Sequence, residues 1–195
     1  MIAVILAGGK SSRMGEEKAL LKIGKMRLID VAIKATEESD AEEFYIAVSK
    51  NAPRTEEYVR DNFKEKTVKT PGDGYHCDLG YLLKRFSVFV SISSDIPFLK
   101  AWHINSIIGA YKGCSITGVI EEKTLLDGAS PGYLFEEGEK NLVAIGLNIV
   151  TSSEESSTLI FDDPLLGVNV NTRHDLRIAR EFLTKESVHP RQDLV

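Results

Sequence analysis

Cysteine is scarce in this chain: Cys77 and Cys114 are the only two in 195 residues. They form no C-x-x-C pair, so they suggest neither a disulfide framework nor a thiolate metal site, and a reducing cytoplasm is the expected compartment. The four histidines, His76, His103, His174 and His189, lack zinc-ligand spacing and read as ordinary core or surface residues. Long apolar runs are missing as well. The one at the N-terminus, residues 1–7, has no basic leader and is too short to span a membrane, so it reads as a strand rather than a signal peptide. Basic charge is in deficit: 24 Lys and Arg against 29 Asp and Glu give a net charge of −5. That argues against general nucleic-acid binding and leaves room only for a local basic pocket. No Ser-His-Asp or Cys-His arrangement stands out, and there is no internal repeat or low-complexity linker.

What remains is the composition of a globular domain, 43% hydrophobic and 27% charged. One domain over residues 1–195 is expected, with residues 185–195 as a loose tail. Strands and helices alternate. Residues 2–6, 44–48, 67–69, 88–92 and 115–119 read as strands, the fourth of them central. Residues 27–35, 53–63, 76–86 and 102–111 read as helices, with Pro53 suited to a first helical turn. This pattern predicts a mostly parallel sheet with helices on both faces. Further on, residues 142–145 and 147–150 flank Gly146 and read as irregular or antiparallel strands. Residues 165–170 read as a late strand. Thr172 then caps a helix running to about residue 184, with Asp175 at capping-box spacing.

The densest signal lies directly after the first strand: Leu6-Ala7-Gly8-Gly9-Lys10-Ser11-Ser12-Arg13-Met14-Gly15, followed by Lys18. Ligands of open α/β sheets bind at the C-terminal ends of strands. Two adjacent glycines let backbone N–H groups turn toward an anion, and Arg13 and Lys18 add positive charge beside them. The string is not a P-loop, because Met14 stands five positions after Gly9. Nor is it a dinucleotide fingerprint, because Ser11 stands two positions after Gly9. A bare Gly-Gly would equally suit a plain turn with solvated charges. Ser93-Ser94-Asp95-Ile96-Pro97 closes the central strand, where Asp95 could cap a turn or hold Mg²⁺. Asn169-Val170-Asn171-Thr172 precedes the last helix, where Asn and Thr also suit an N-cap.

Taken together, these strings resemble the nucleotidyltransferases of Rossmann-like fold, whose first strand is followed by L-A-G-G-x-S-x-R-M-G…K. The resemblance implies an α/β, Rossmann-like, mostly parallel sheet of the nucleotide-diphospho-sugar transferase type. It is closest to the guanylyltransferases, in two branches: those of the molybdenum cofactor and the archaeal GTP:adenosylcobinamide-phosphate enzymes of cobalamin assembly. The Gly72 to Leu79 string, Ser94-Asp95-Ile96-x-x-Leu99-Lys100, the Ser49–Tyr58 pattern and the string from Gly146 to Val150 are similar to the second branch. Pro97 is more like the first, and the resemblance ends in the tail after Lys185.

The resemblance implies transfer of GMP from GTP to a phosphorylated small-molecule acceptor, with pyrophosphate leaving. The expected acceptor is adenosylcobinamide phosphate; molybdopterin is the alternative. A sugar 1-phosphate or a catalytically silent nucleotide-binding module would be further alternatives. It implies Arg13 on the β,γ phosphates, Lys18 on the α phosphate, Mg²⁺ on Asp95, and Asn171 as a second metal or phosphate contact. Leu6, Ala7, Gly8, Gly9, Ser49, Asn51 and Gly74 would bind the nucleotide. Asn148 would face the acceptor, whose mouth is expected near residues 121–133 and 147–150. No nucleic acid and no membrane span are expected, and a homo-oligomer is left open.

Overall fold

The apolar run after Met1 forms β1 (Ile2–Leu6), with Ala3, Val4 and Ile5 fully buried as a strand covered on both faces requires. A small hairpin, β2 (Lys22–Ile23) and β3 (Met26–Arg27), leads into helix α1 (Leu28–Glu37). The alternation continues through β4 (Glu43–Ser49), α2 (Pro53–Phe63), β5 (Thr67–Thr70), α3 (Tyr75–Phe86), β6 (Phe89–Ser93), α4 (Ala101–Gly109) and β7 (Ser115–Glu121). Then come β8 (Tyr133–Glu137), β9 (Lys140–Val150), β10 (Ser156–Ile160) and α5 (Arg173–Val188). The structure is a computed structural model; it describes residues 1–188, with side chains as far as residue 184. Among the described residues no helix is long and apolar enough to cross a membrane.

One sheet carries the order β10-β7-β9-β6-β1-β4-β5, with β8 also paired to β9. β1, β4, β5 and β6 run parallel, while β9 is antiparallel between β6 and β7. The expected mostly parallel α/β sheet is therefore what forms. After β1 the chain builds β4 and β5 on one side, then crosses to place β6 on the other. The crevice at the C-terminal ends of β1 and β6 lies at this reversal, the position where open sheets bind ligands. The main core packs Ile5, Ile46, Ile92, Ile104 and Ile120 around the sheet. A second cluster joins Met14 of the glycine loop to Val168, Val170 and Leu176. It therefore ties the loop to the start of α5.

Two expectations need correction, and two strands were not anticipated. Residues 165–170 do not form a strand. Pro164–Gly167 is a 3₁₀ turn, started by the Asp163 carboxylate accepting from the Leu165 N–H at 3.0 Å. The run is apolar because Leu165, Leu166, Val168 and Val170 are buried, not because it pairs in a sheet; apolar runs of this length do not distinguish the two. Residues 185–188 complete α5 rather than opening a loose tail; the rest of that stretch, 189–195, lies outside the described residues. Finally, β8 and β10 are strands that periodicity did not indicate. Both lie at the margin of the sheet, and β10 is the polar string Ser156-Ser157-Thr158-Leu159-Ile160.

The two apolar stretches around Gly146 are one strand, β9, broken by a bulge. The register jumps from Thr117↔Asn148 to Val119↔Ala144. Gly146 takes φ +82°, and a Cβ there would stand 2.8 Å from the Ser93 Cβ. The bulge bends β9 at the point where β6 ends, beside Asp95. Gly146→Ala is expected to destabilise the fold by about 2–4 kcal/mol, adding left-handed strain to overpacking. Urea unfolding measures this; a loss under about 0.5 kcal/mol would show that β9 relaxes freely.

His103 is a core histidine. It is fully buried on α4, its Nδ1 accepts from the Lys100 N–H at 3.0 Å, and its Nε2 lies 3.2 Å from Asp163 Oδ2. The backbone bond leaves the proton on Nε2, facing the carboxylate. Burial holds its pKa below the ordinary histidine value despite Asp163.

Candidate active site

The loop after β1 is pinned close to β4. The Ala7 N–H donates to the Ala47 carbonyl at 2.8 Å, and the Ser49 hydroxyl donates to the Gly8 carbonyl at 2.6 Å. A Cβ on Gly8 would stand 2.9 Å from the Ser49 backbone nitrogen, so the close approach requires glycine. The loop then turns at Ser11, whose φ is +48° and whose carbonyl accepts from the Met14 N–H at 2.9 Å. The Ser11 hydroxyl accepts from the Lys18 N–H at 3.0 Å. Beside it the Glu17 carboxylate accepts from the Arg54 N–H at 3.0 Å, and from the Thr55 N–H and hydroxyl at 2.6 Å each. These are open donors at the start of α2, and a carboxylate also complements the positive end of that helix. Lys18 is thus held from both sides of its backbone.

The Lys18 ammonium donates to Asp95 Oδ2 at 2.6 Å and to Asn171 Oδ1 at 2.8 Å. Ser93 fixes the other Asp95 oxygen, Oδ1, at 2.6 Å. Asn171 and Asn169 point differently. Asn169 is buried and its amide donates to the Ile145 carbonyl at 3.1 Å, which supports β9. The Asn171 backbone is set by Asp175, whose Oδ2 accepts from the N–H groups of Asn171 and Thr172 at 3.1 and 2.8 Å. The Thr172 hydroxyl completes the capping box toward the Asp175 N–H at 3.2 Å.

Asp95 and Asn171 are therefore two oxygen donors converging on one cation position, which the Lys18 ammonium marks. Oxygen donors of this kind fit Mg²⁺, whose remaining positions are ordinarily filled by phosphate oxygens and water. Among the described residues no group of three or more His, Cys, Asp or Glu could hold a metal alone. Any metal here would depend on the substrate's oxygens.

Two cavities meet at this point. The first, of about 370 Å³, is walled by Leu6, Ala7, Gly8 and Gly9 with Asn51 and Gly74. Lys10 and Lys18 supply its cations. Its far side is shaped by Gly72, at φ +73°, where a Cβ would stand 2.7 Å from both Asn51 Nδ2 and the Ser49 hydroxyl. The Asn51 amide donates to the Gly72 carbonyl at 2.6 Å, and Asp78 Oδ1 accepts from the Gly72 N–H at 2.8 Å. Ser49 lies behind this wall rather than on it, its hydroxyl spent on Gly8.

The second cavity, of about 990 Å³, opens on the other side of Asp95. Asn148, Asn171, Tyr133 and Phe135 help to line it, and so does Arg13. Of the stretches 121–133 and 147–150, Ser130 to Tyr133 and Asn148 to Val150 line this cavity, and residues 121–129 and Leu147 do not. Tyr75, Ser93 and Asp95 line both cavities. Tyr75 is half exposed at the start of α3, and its hydroxyl accepts from the Asn148 amide at 3.2 Å. Burial of that hydroxyl pushes its pKa above the ordinary phenol value.

Sequence reasoning did not single out Lys10, Glu17, Tyr75 or Asp78. Glu17 carried a signal in its place directly before Lys18, and Tyr75 in its place directly after Gly74. Tyr75's position between two cavities depends on where β9 lies in the sheet, which no local pattern reveals. Arg13 lines the second cavity and is not among the residues that line the first.

A sequence profile of the MobA-like NTP transferase domain matches residues 3–131. The chain is 33% identical to the adenosylcobinamide-phosphate guanylyltransferase of Methanocaldococcus jannaschii, over 96% of this chain and 100% of that protein. It is 28% identical to the "Probable molybdenum cofactor guanylyltransferase" of Natranaerobius thermophilus, over 94% and 96% of the two chains. The crystal structure of molybdopterin-guanine dinucleotide biosynthesis protein A from Archaeoglobus fulgidus superposes with a TM-score of 0.61 at 18% identity. That superposition covers 95% of this chain and 100% of the other, and shows a common fold.

Proposed function

The chain belongs to the MobA-like NTP transferase family and is a nucleotidyltransferase of guanylyltransferase type, and from that premise we propose that it transfers GMP from GTP to adenosylcobinamide phosphate, releasing pyrophosphate. The observation that carries this reading is the pair of cavities meeting at Asp95, one edged by the glycine loop and one large enough for a bulky acceptor. The Methanocaldococcus relative supports the choice of acceptor, being similar over nearly the full length of both chains. The proposed location is the cytoplasm.

An oxygen of the acceptor's phosphate attacks the α-phosphorus of GTP, and the bond to the bridging oxygen of the leaving pyrophosphate breaks. The nucleophile is ionised at neutral pH, so no general base is needed. The protein's task is to align the two phosphates and neutralise the growing charge. The Gly8 and Gly9 backbone lies against the polyphosphate, with Lys10 beside it. Lys18 moves its ammonium from Asp95 and Asn171 to the α-phosphate oxygens. Bound at Asp95 and Asn171, Mg²⁺ would supply charge neutralisation to the phosphates. The uncommitted Asn51 Oδ1 and the Asp78 carboxylate are acceptors on the nucleotide wall. Guanine presents N1–H and N2–H donors to such groups, and adenine does not.

GTP is expected to bind roughly tenfold or more tightly than ATP, since adenine leaves these half-buried acceptors without a donor. Calorimetry with the four nucleoside triphosphates checks this, and equal affinity for ATP would refute a guanine-reading wall. The function itself is tested by incubating the protein with GTP, Mg²⁺ and either adenosylcobinamide phosphate or molybdopterin. Release of pyrophosphate and a guanylated cobinamide is expected. Turnover with molybdopterin alone, the reading that the Natranaerobius relative and Pro97 favour, would replace the acceptor and keep the chemistry.

A further inference from the structure

We infer, resting on the guanylyltransferase reading above, that Tyr133 and Phe135 of β8 form a platform for the body of the acceptor, and that they select an acceptor with a broad apolar face. They recognise the part of the molecule that does not react, and the phosphate is left to the rest of the site.

Strand pairing places the two rings. β7 occupies one edge of β9 from residue 142 to residue 149, so β6 and β8 must share the other. β6 takes residues 147–150 of β9, ending with Ile92 opposite Leu147. β8 takes residues 140–144, starting with Tyr133 opposite Ala144. β8 therefore continues the line of β6 past its C-terminal end, and the bulge at Gly146 lies at the changeover. Asp95 follows the same end of β6, two residues after Ser93. The first ring of β8 thus stands next along the sheet from the cation position. Opposed residues of paired strands share a face. Tyr133 is on the face of Ala144, which lines the second cavity, and Phe135 follows on that face two residues later. Leu134, between them, is on the opposite face with Val143 of the main core.

The fold does not use these rings. Tyr133 is 72% exposed, and neither it nor Phe135 packs in any of the three core clusters. Their centroids lie 5.9 Å apart with planes 30° from parallel, so they stand side by side as one shallow apolar surface. Among the described residues β8 pairs only with β9, which leaves its other edge open. An open edge strand that exposes aromatic side chains invites aggregation, and such strands are ordinarily blunted by charge. Here the charges, Glu136 and Glu137, stand only at the far end. Exposed apolar surface of this kind, rimmed by polar groups, marks a binding site.

The occupant follows from the shape and the rim. Two rings side by side present a wider face than a bicyclic pterin covers, and a corrin macrocycle spans both. The rim carries the Asn148 amide and the Thr117 and Thr172 hydroxyls, partners for the carboxamide arms around a corrin. The cavity, of about 990 Å³, is continuous with Asp95, so a macrocycle resting on β8 can extend its phosphate to the reacting centre.

The test compares the wild type with the double variant Tyr133→Ser, Phe135→Ser and with Tyr133→Phe. In the double variant the KM for adenosylcobinamide phosphate is expected to rise roughly 10- to 100-fold, the size of losing two aromatic contacts. Its kcat at saturating acceptor should change less than about threefold, because contacts to the unreactive body are equal in the ground and transition states. Calorimetric affinity for Mg–GTP should stay within about twofold, as for a distant site. Tyr133→Phe should keep the wild-type KM, since the ring face and not the hydroxyl makes the contact. If the double variant does not fold, Tyr133→Ser alone is used, with an expected rise in acceptor KM of roughly 3- to 10-fold. An unchanged acceptor KM overturns the platform, and so does a fall in Mg–GTP affinity as large as the rise in acceptor KM. A tenfold rise in Tyr133→Phe would also overturn it, by moving recognition to the hydroxyl. A wild type that makes no guanylated cobinamide refutes the acceptor reading and removes the platform's occupant with it. A wild type that makes it, with a double variant that does so equally well, refutes the platform alone.

Discussion

Asp95→Ala is expected to lower kcat by about three orders of magnitude, the loss that follows when several kcal/mol of charge stabilisation at the transferring phosphate disappear. Asp95 is the carboxylate on the walls of both cavities and the ionised partner at the cation position marked by the Lys18 ammonium, 2.6 Å away. The substitution leaves the frame standing. The Val170 N–H bonds to the Asp95 backbone carbonyl at 2.9 Å, a contact that alanine keeps. Ser93 loses an acceptor, but it lies on a cavity wall where water can replace it. The melting temperature should fall by several degrees without loss of the fold, because a buried partner of the Lys18 ammonium is removed while Asn171 still accepts from it. Asp95→Asn should lose nearly as much activity, because it keeps the shape and removes the charge. Near-normal turnover of either variant at ordinary Mg²⁺ would end the metal assignment.

Lys18→Met should act in two opposite directions. Turnover is expected to fall by roughly 100-fold or more, as when a preorganised donor to developing charge is removed. Affinity for Mn²⁺ in the absence of nucleotide is expected to rise by roughly tenfold or more, the worth of the charge-assisted bonds that the ammonium makes. The reason is geometric. The ammonium sits on Asp95 Oδ2 and Asn171 Oδ1 together, so a divalent cation and Lys18 compete for the same two oxygens. Methionine has nearly the same length and no charge, and Glu17 and Ser11 still hold the backbone on either side. Electron paramagnetic resonance of free and bound Mn²⁺ reads the binding directly. Lost turnover with unchanged Mn²⁺ binding would make Lys18 a phosphate contact that does not share the metal's position. Normal turnover would remove the polyphosphate role from the loop.

The amino-acid sequence by itself determined the parts of this protein that are local. β1, β4, β6 and α1 to α4 follow from apolar periodicity, and the glycine loop follows from its place at the end of β1. Thr172 and Asp175, three residues apart, were recognisable as a capping box for the same reason. Asp95 and Lys18 stood out in motif strings. Their meeting was not, because 77 residues separate them, and 153 separate Lys18 from Asn171. Residues 165–170 misled because burial against the sheet and pairing within a sheet select the same apolar side chains. β10 was missed because a short polar margin strand carries little periodic signal. Antiparallel or irregular strands around Gly146 were expected from the sequence; the tertiary structure alone decided that they are one strand, β9, inserted between β6 and β7 on the wall of the second cavity. It alone decided that Ser49 braces the loop from behind and that Arg13 lines the second cavity. Both outcomes depend on where a side chain lies relative to strands distant in sequence. Hydrogen bonds and packing across the sheet set that position, and no spacing along the chain encodes it.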